Sequence, residues 1–373
     1  MIPLSREEKF RVLFPGAPAF RLKQIDGALF SSVFKDFSDV STIPLAMRET
    51  IAHELAWFSI REVQVFESAK KDTFKAVVET IDGKRVETVL MKNARGQWTV
   101  CVSSQVGCAM ACTFCATGTM GFTRNLLVDE IVDQVRFWYS FLEKNTTLSS
   151  TLRLRLEESL SKGGNSDIEG SRISNVVFMG MGEPLANYEN VKEALRLLLA
   201  YTDIGMTRIT VSTVGLLPML RKVLNDSSWP AVRLAVSLHS ANSDTRKKMM
   251  PSSYDGFLDG LVEWTGEYFQ KFESRRRHLT FEYVMLSKVN DTEMHAQALI
   301  KFAQRVGKVR INLIPYNFTG SVYRDSLPGD FTRFQKQLED AGVVVTRRRT
   351  MGDDIAAACG QLVVQRGGDR KIG

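Results

Sequence analysis

Between residues 99 and 348 the sequence alternates short β-branched runs with amphipathic stretches, and this constrains the fold more than any other feature. Candidate strands are TVCVS (99–103), NVVFM (175–179), RITVST (208–213), VRLAVSL (232–238), LTFEYVML (279–286), VRINLI (309–314) and VVVTRR (343–348). Over 127–142 the residues Val128, Ile131, Val132, Val135 and Trp138 fall on one helical face, and further helical patterns lie around 190–200, 255–271, 291–305 and 330–341. Repeated β–α units require crossovers, and crossovers place parallel strands in a sheet with helices packed outside. Six such units predict an α/β protein with a partial (β/α)6-type barrel. A functional site then belongs at the C-terminal ends of the strands.

The flanks read differently. Residues 1–60 are predicted to form a helical accessory domain. Residues 61–97 read as a short β extension, because FKAVVETI and RVETVLM flank the turn-former Asp82-Gly83. The barrel is assigned to 98–350. It is interrupted at 144–174 by a loop-rich insertion with one charged helical run. Residues 351–373 form a C-terminal segment.

Hydrophobic residues make up 44% and charged residues 24%, which suits a globular chain with a sizeable core and excludes a disordered or collagenous one. No apolar run approaches the length of a spanning helix. The first residues, MIPLSREEKFRVLF, lack the apolar core of a secretory signal, so a cytoplasmic protein with no membrane partner is expected. The 49 basic against 42 acidic residues give a net charge of +7, which permits a polyanionic partner without requiring one.

Five cysteines are present, and Cys108-x3-Cys112-x2-Cys115 is the sharpest local signal. Three thiolates on one short loop can converge on a soft metal centre. A structural zinc site calls for four protein ligands, whereas a four-iron cluster held by three cysteines keeps one iron open for a chelating small molecule. Cys101 as a fourth ligand, a zinc knuckle and plain buried thiols are the alternatives that spacing leaves standing.

The aromatic Phe114 within the cysteine motif is similar to the pattern of the radical S-adenosylmethionine (SAM) superfamily. Five ordered segments narrow the resemblance: CVSSQVGCAMACTFCATGTMGFTRNL (101–126), FMGMGEPLANYENV (178–191), LAVSLHSAN (234–242), INLIPYN (311–317) and GDDIAAACGQL (352–362). Together they resemble the RlmN/Cfr family of radical SAM RNA adenine methyltransferases, from about Val86 to Leu362. RlmN enzymes methylate C2 of an adenosine in 23S ribosomal RNA, and some also act on adenosine 37 of transfer RNA. Cfr enzymes methylate C8 of the ribosomal adenosine. Pro184 and Gly352-Asp353-Asp354 resemble RlmN more than Cfr.

The resemblance implies a role for each residue. Cys108, Cys112 and Cys115 would hold a [4Fe-4S] cluster. Gly182 and Glu183, Ser212, Ser237, Leu238 and His239, and Asn317 would contact SAM, with Glu183 on its amino group. Read alone, Gly-Glu-Pro is a turn, Ser212 and Asn317 are strand-end caps, and His239 is a satisfied structural histidine. Cys359 would accept a methyl group from a first SAM, and a second SAM would activate that methyl for addition to the ring. Cys101 would then attack the Cys359 sulfur, resolving a protein–RNA crosslink and leaving a disulfide. Glu87 would accept the ring proton; its bland reading is an exposed strand carboxylate. The implied partners are 23S ribosomal RNA, transfer RNA and an electron donor such as flavodoxin or ferredoxin, with the enzyme acting as a monomer. Phosphate contacts are expected from Arg275-Arg276-Arg277 and Arg347-Arg348-Arg349.

The sequence departs from the family pattern at Ala356, where an acid is usual, and in the length of the 144–174 insertion. Three competing readings are a C8 methyltransferase, a non-catalytic metal-stabilised RNA-binding protein, and a radical SAM enzyme acting on a small molecule. The last two have no need of both Cys101 and Cys359.

Overall fold

The computed structural model of the chain describes residues 3–145, 172–272, 279–307 and 309–363. Most of the expected insertion and the triplet Arg275-Arg276-Arg277 lie outside the described residues.

Three helices open the chain: α1 (Arg6–Leu13), α2 (Phe20–Leu29) and α3 (Leu45–Glu54). They gather Phe10, Ile25, Leu29, Phe37, Val40, Ile43, Ile51 and Leu55 into a hydrophobic cluster separate from the main core. Helix α1 starts on a capping box, Ser5 with Glu8, which satisfies two amides that a first turn otherwise leaves unpaired.

The expected hairpin is β2 (Thr73–Thr80) and β3 (Arg85–Lys92), turning where Gly83 adopts φ +75. It is not an appendage. Strand β1 (Ile60–Glu67) pairs with β2, and β3 pairs antiparallel with β4 (Trp98–Cys101). The extension therefore runs into the barrel sheet. Parallel strands follow in register order: β4, then β7 (Ile173–Phe178), β8 (Ile209–Thr213), β9 (Arg233–Ser237), β10 (Leu279–Met285), β11 (Arg310–Pro315) and β12 (Val344–Arg347). The ten strands form one sheet, from β1 at one edge to β12 at the other. Between β4 and β7 lie a two-stranded ribbon, β5 (Gln105–Gly107) with β6 (Phe122–Asn125), the short α4 (Ala116–Thr119), and α5 (Val128–Asn145). The remaining crossovers carry α6 (Tyr188–Tyr201), α7 (Leu217–Asn225), α8 (Ser243–Met249), α9 (Phe257–Lys271), α10 (Glu293–Val306) and α11 (Pro328–Asp340).

Six crossovers match the expected six units. The parallel strands read as near-continuous apolar runs because helices cover one face and the barrel interior the other. Helix α5 buries the predicted stripe, with Ile131, Val135 and Trp138 fully covered, and the indole Nε1 donates to Thr88 Oγ1 at 3.1 Å. Helix α7 was not legible in advance, since nine residues beginning Leu-Pro offer few turns of periodicity. Neither was the ribbon, whose strands are shorter than any alternation test.

One buried carboxylate joins the N-terminal helices to the barrel. Asp133 on α5 accepts from Ser59 N at 2.6 Å and Ser59 Oγ at 2.7 Å, and it pairs with both Arg6 and Arg136. Burial pushes its carboxyl up, but the two guanidinium groups win and hold it below the usual range. Among the described residues no helix is long and apolar enough to cross a membrane.

Candidate functional site

Every parallel strand from β4 onward delivers its C-terminal end to one face, and two adjoining cavities open there. The first spans about 990 Å³, counting space open to solvent, and Cys108, Cys112, Cys115, Gly182, Glu183, Ser212, Ser237, His239 and Cys359 are all in its wall. The second, about 890 Å³ on the same measure, takes Cys101, Asn317, Arg348 and Cys359 into its wall. Cys359, the residue common to both cysteine sets, is exposed, and Cys101 is buried.

The cysteine loop is held at its base by the β5–β6 ribbon, with Cys108 N donating to Gly121 O at 2.9 Å. Helix α4 packs against the loop so closely that a Cβ on Gly118 would lie 2.6 Å from Cys112 O, so no larger residue fits. Thr113 N donates to Met249 O at 2.9 Å, and Ala116 N to Gly360 O at 2.8 Å. The second of these bonds ties the cysteine loop to the segment carrying Cys359. Burial pushes the Cys108 thiol up to about 11 and the Cys112 and Cys115 thiols upward as well.

Among the described residues no three Cys, His, Asp or Glu groups close in on a single metal ion. Two other potential ligands in the same wall, His239 and Glu183, make hydrogen bonds to backbone amides. His239 Nδ1 accepts from Val284 N at 3.0 Å, so the neutral ring carries its hydrogen on Nε2 and has no lone pair to offer. Burial drives that imidazole down to about 3, with Arg246 adding to the effect. Glu183 accepts from Leu185 N at 2.9 Å and Val214 N at 2.7 Å. Three thiols around a roomy cavity suit a polynuclear iron–sulfur cluster with one open iron, and the other thiol in that wall, Cys359, sits on a separate segment and is exposed.

Glu183 is set by local structure. It follows β7 and caps a 3-10 turn over 184–187, while Gly182 at φ +99 lets the chain pass Gln105, whose Cβ would lie 2.5 Å from a Cβ at 182. The carboxylate is buried, and no ion pair reaches it among the described residues. Burial pushes it up to about 7 against its backbone hydrogen bonds. A buried carboxylate without a counterion, facing a cavity, is a receptor for a cation.

Not every expected contact lines the first cavity. Leu238 is wholly buried in the core, and only its backbone takes part, with N donating to Glu282 O at 3.0 Å. Asn317 borders the second cavity. Its Nδ2 donates to Cys359 O at 3.2 Å and its Oδ1 accepts from Thr350 Oγ1 at 3.0 Å, so both ends of the amide hold the Cys359 loop.

Glu87 is not an exposed carboxylate: it is 3% exposed. Lys75 Nζ lies 3.2 Å from its Oε1, and Val363 N donates to its Oε2 at 2.9 Å. It borders neither cavity. The register Val89↔Cys101 nonetheless puts Glu87 and Cys101 on one face of the sheet as diagonal neighbours. Burial raises its carboxyl and Lys75 opposes that rise. Lys75 also donates to Ala356 O at 3.2 Å, and Ala69 N donates to Asp354 Oδ2 at 2.7 Å. The β extension thus grips the carrier segment at three points, one of them the backbone of the unusual Ala356. Lys75→Met should destabilise the fold by about 3 kcal/mol, the cost of stranding a buried charge, and Lys75→Met with Glu87→Leu should recover most of it in urea unfolding.

Sequence reading missed Glu282, Asn312 and Arg246, and it assigned Arg348 to RNA contact alone. Glu282 and Arg348 pair at 3.3 Å in the wall of the first cavity, and Asn312 Nδ2 donates to Glu282 Oε1 at 2.6 Å. Arg246, buried, donates to Val214 O at 2.8 Å and Leu238 O at 3.1 Å, bracing two strand ends. The expected basic triplet is split accordingly. Arg348 turns inward, where burial lowers it but Cys359 and Glu282 outweigh that and raise it, while Arg347 lies over the Phe331 ring at 4.2 Å. Alternation along a strand end separates neighbours that the sequence shows side by side.

Comparison with known proteins places this geometry. The model of the radical SAM superfamily matches residues 167–298, a span that begins after the cysteine loop. The chain is 38% identical over 350 residues to the dual-specificity RNA methyltransferase RlmN of Desulfotalea psychrophila, covering 93% of this chain and 90% of that protein. It is 38% identical to the RlmN of Alcanivorax borkumensis, covering 98% and 90%. A solved radical SAM methyltransferase from Sphaerobacter thermophilus superposes with TM-score 0.77 at 33% identity, covering 96% of this chain and 97% of that one.

Proposed function

The chain belongs to the RlmN family of radical SAM RNA methyltransferases, and we propose that it methylates C2 of an adenosine in 23S ribosomal RNA and of adenosine 37 in transfer RNA. The observation that carries this reading is the arrangement of its five cysteines. Three line one cavity, Cys101 lines the next, and Cys359 lies in the wall of both. The curated relatives are named dual-specificity RNA methyltransferases, which supports two RNA targets. Pro184 and Gly352-Asp353-Asp354 support C2 over C8.

Cys108, Cys112 and Cys115 would hold the cluster, and Glu183 the ammonium of SAM. When bound, the reduced cluster and SAM supply a radical able to take hydrogen from an unactivated methyl group. Cys359 would carry that methyl group. Its exposure lets it receive the group in the first cavity and present it to RNA. Asn317 would fix its backbone. Glu87 would accept the ring proton; its support is burial, a raised carboxyl and its diagonal relation to Cys101. Burial and the neighbouring Cys359 push the Cys101 thiol up to about 12, so at rest Cys101 is a protonated thiol. As its proton leaves, its sulfur would attack the Cys359 sulfur of the protein–RNA crosslink, forming the S–S bond as the bond from sulfur to the methylene carbon breaks; that carbon takes up a proton, and the methylated RNA is released. A thiol reductant then restores both cysteines. Each turnover would consume two SAM molecules, one for each transformation.

The test is turnover of anaerobically reconstituted protein with SAM, a reductant and a protein-free ribosomal RNA fragment, read by nucleoside mass spectrometry. 2-Methyladenosine together with 5′-deoxyadenosine is the expected product pair. 8-Methyladenosine would move the chain to the other branch of the family. Deoxyadenosine without a methylated nucleoside would overturn the RNA assignment.

A further inference from the structure

Immediately after β11 the chain forms a rigid loop at the mouth of the two cavities. Asn317 bonds the Cys359 carbonyl, Gln361 Nε2 donates to Phe318 O at 3.0 Å, and Thr319 Oγ1 donates to Phe114 O at 3.2 Å. Tyr323 Oη sits 2.9 Å from Thr113 Oγ1, and Tyr316 Oη 2.6 Å from Ser321 Oγ. The loop is therefore fastened to both the cysteine loop and the carrier segment.

This fastened loop holds Phe318 in water, 59% exposed. A lone exposed apolar side chain is ordinary and calls for no explanation. Here, however, the ring is backed by a cation. The Arg324 guanidinium lies 5.2 Å from its centroid, and that guanidinium is pinned by the carbonyls of Tyr323 at 2.8 Å and Ser321 at 3.2 Å. The backbone that carries the ring is bonded on both sides, at Asn317 and Thr319 and through the Phe318 carbonyl. The result is an exposed aromatic ring on an anchored backbone, paired with an arginine and one residue from the amide that holds Cys359.

We propose that Phe318, backed by Arg324, is a stacking platform for an RNA nucleobase neighbouring the target nucleotide. The inference rests on the RNA reading given above. A base brought to a carrier in the cavity wall must leave its stack, and the neighbours it leaves lose a stacking partner. An aromatic face at the rim replaces that partner without reading its identity, and the guanidinium adds charge without a fixed register. This gives sequence-tolerant recognition, as an enzyme acting on two different RNAs needs.

The experiment measures binding of a fluorescent ribosomal RNA fragment to the full chain with its cluster reconstituted, as a function of salt. Phe318→Ala should weaken binding roughly 5- to 150-fold, the range of one base–aromatic contact, with no change in the slope of log affinity against log salt. Phe318→Leu, which keeps apolar bulk without a π face, should lose nearly as much, and Phe318→Trp should restore binding. In Phe318→Trp, RNA should also quench the added indole emission relative to wild type. Wild-type affinity in both Ala and Leu variants would overturn the platform while leaving the RNA reading intact. Full affinity in Leu alone would show apolar packing instead and equally overturn it. Absence of RNA binding by wild type would instead bring down the RNA reading on which it stands.

Discussion

Cys359→Ala is expected to abolish RNA methylation completely while the protein still binds its cluster and SAM. The side chain is exposed between two cavities, so its loss leaves no buried hole, and its backbone carbonyl remains held by Asn317. No other cysteine can substitute. Cys101 is buried in the second cavity, and the other three line the first as the proposed ligands. Cys101→Ala should fail differently. With the carrier intact and the resolving sulfur gone, the enzyme should stop after joining to RNA, giving a covalent species visible on a denaturing gel. Residual methylation in Cys359→Ala would refute the carrier role. Clean multiple turnover in Cys101→Ala would refute the resolving role while leaving the carrier role standing.

Glu183→Gln is expected to weaken SAM binding roughly 10- to 100-fold, the worth of a charge-assisted hydrogen bond to a buried ion. The amide keeps the acceptor for Leu185 N but removes the charge together with the second acceptor, which Val214 N uses. The pH dependence has a definite sign. Burial raises the carboxyl of the ligand-free protein to about 7, above its ordinary value. Only the ionised form attracts a cation, so wild-type affinity for SAM should fall about tenfold per unit as pH drops below that point, whereas Glu183→Gln should lack this dependence. Stability moves the other way. The neutral carboxyl is favoured in the empty fold, and its contribution is lost as pH rises toward and through about 7, at a cost on the order of 3 kcal/mol. Ligand-free Glu183→Gln should therefore melt above wild type at pH 8, and SAM should narrow the gap. Equal melting of the two ligand-free proteins at pH 8 would show that the carboxylate is solvated after all.

The strands and most helices were legible because their signals are local. A parallel strand needs a short apolar run, and a covering helix needs a stripe at helical spacing, as in α5 with Ile131, Val135 and Trp138. Short elements were not legible: the β5–β6 ribbon owes its existence to the loop that it closes. The same divide runs through the site. The spacing of Cys108, Cys112 and Cys115 pointed to a metal centre without any fold. The spacing of Lys75, Glu87 and Ala356 pointed to nothing, since their association is made across the sheet and a distant segment.

Sequence alone determined the α/β class and the cysteine loop, and it matched Cys359 and Cys101 to the positions proposed here as carrier and resolver, since all of these rest on residue identity and short spacing. Tertiary structure alone decided the electrical state of the site. It buried Glu183 with no ion pair among the described residues, turned Arg348 inward and Arg347 outward, made Glu87 a buried partner of Lys75, and joined Cys101 and Cys359 in one cavity wall. Burial and approach between distant segments set the charge and reach of a side chain, and neither quantity exists until the chain has folded.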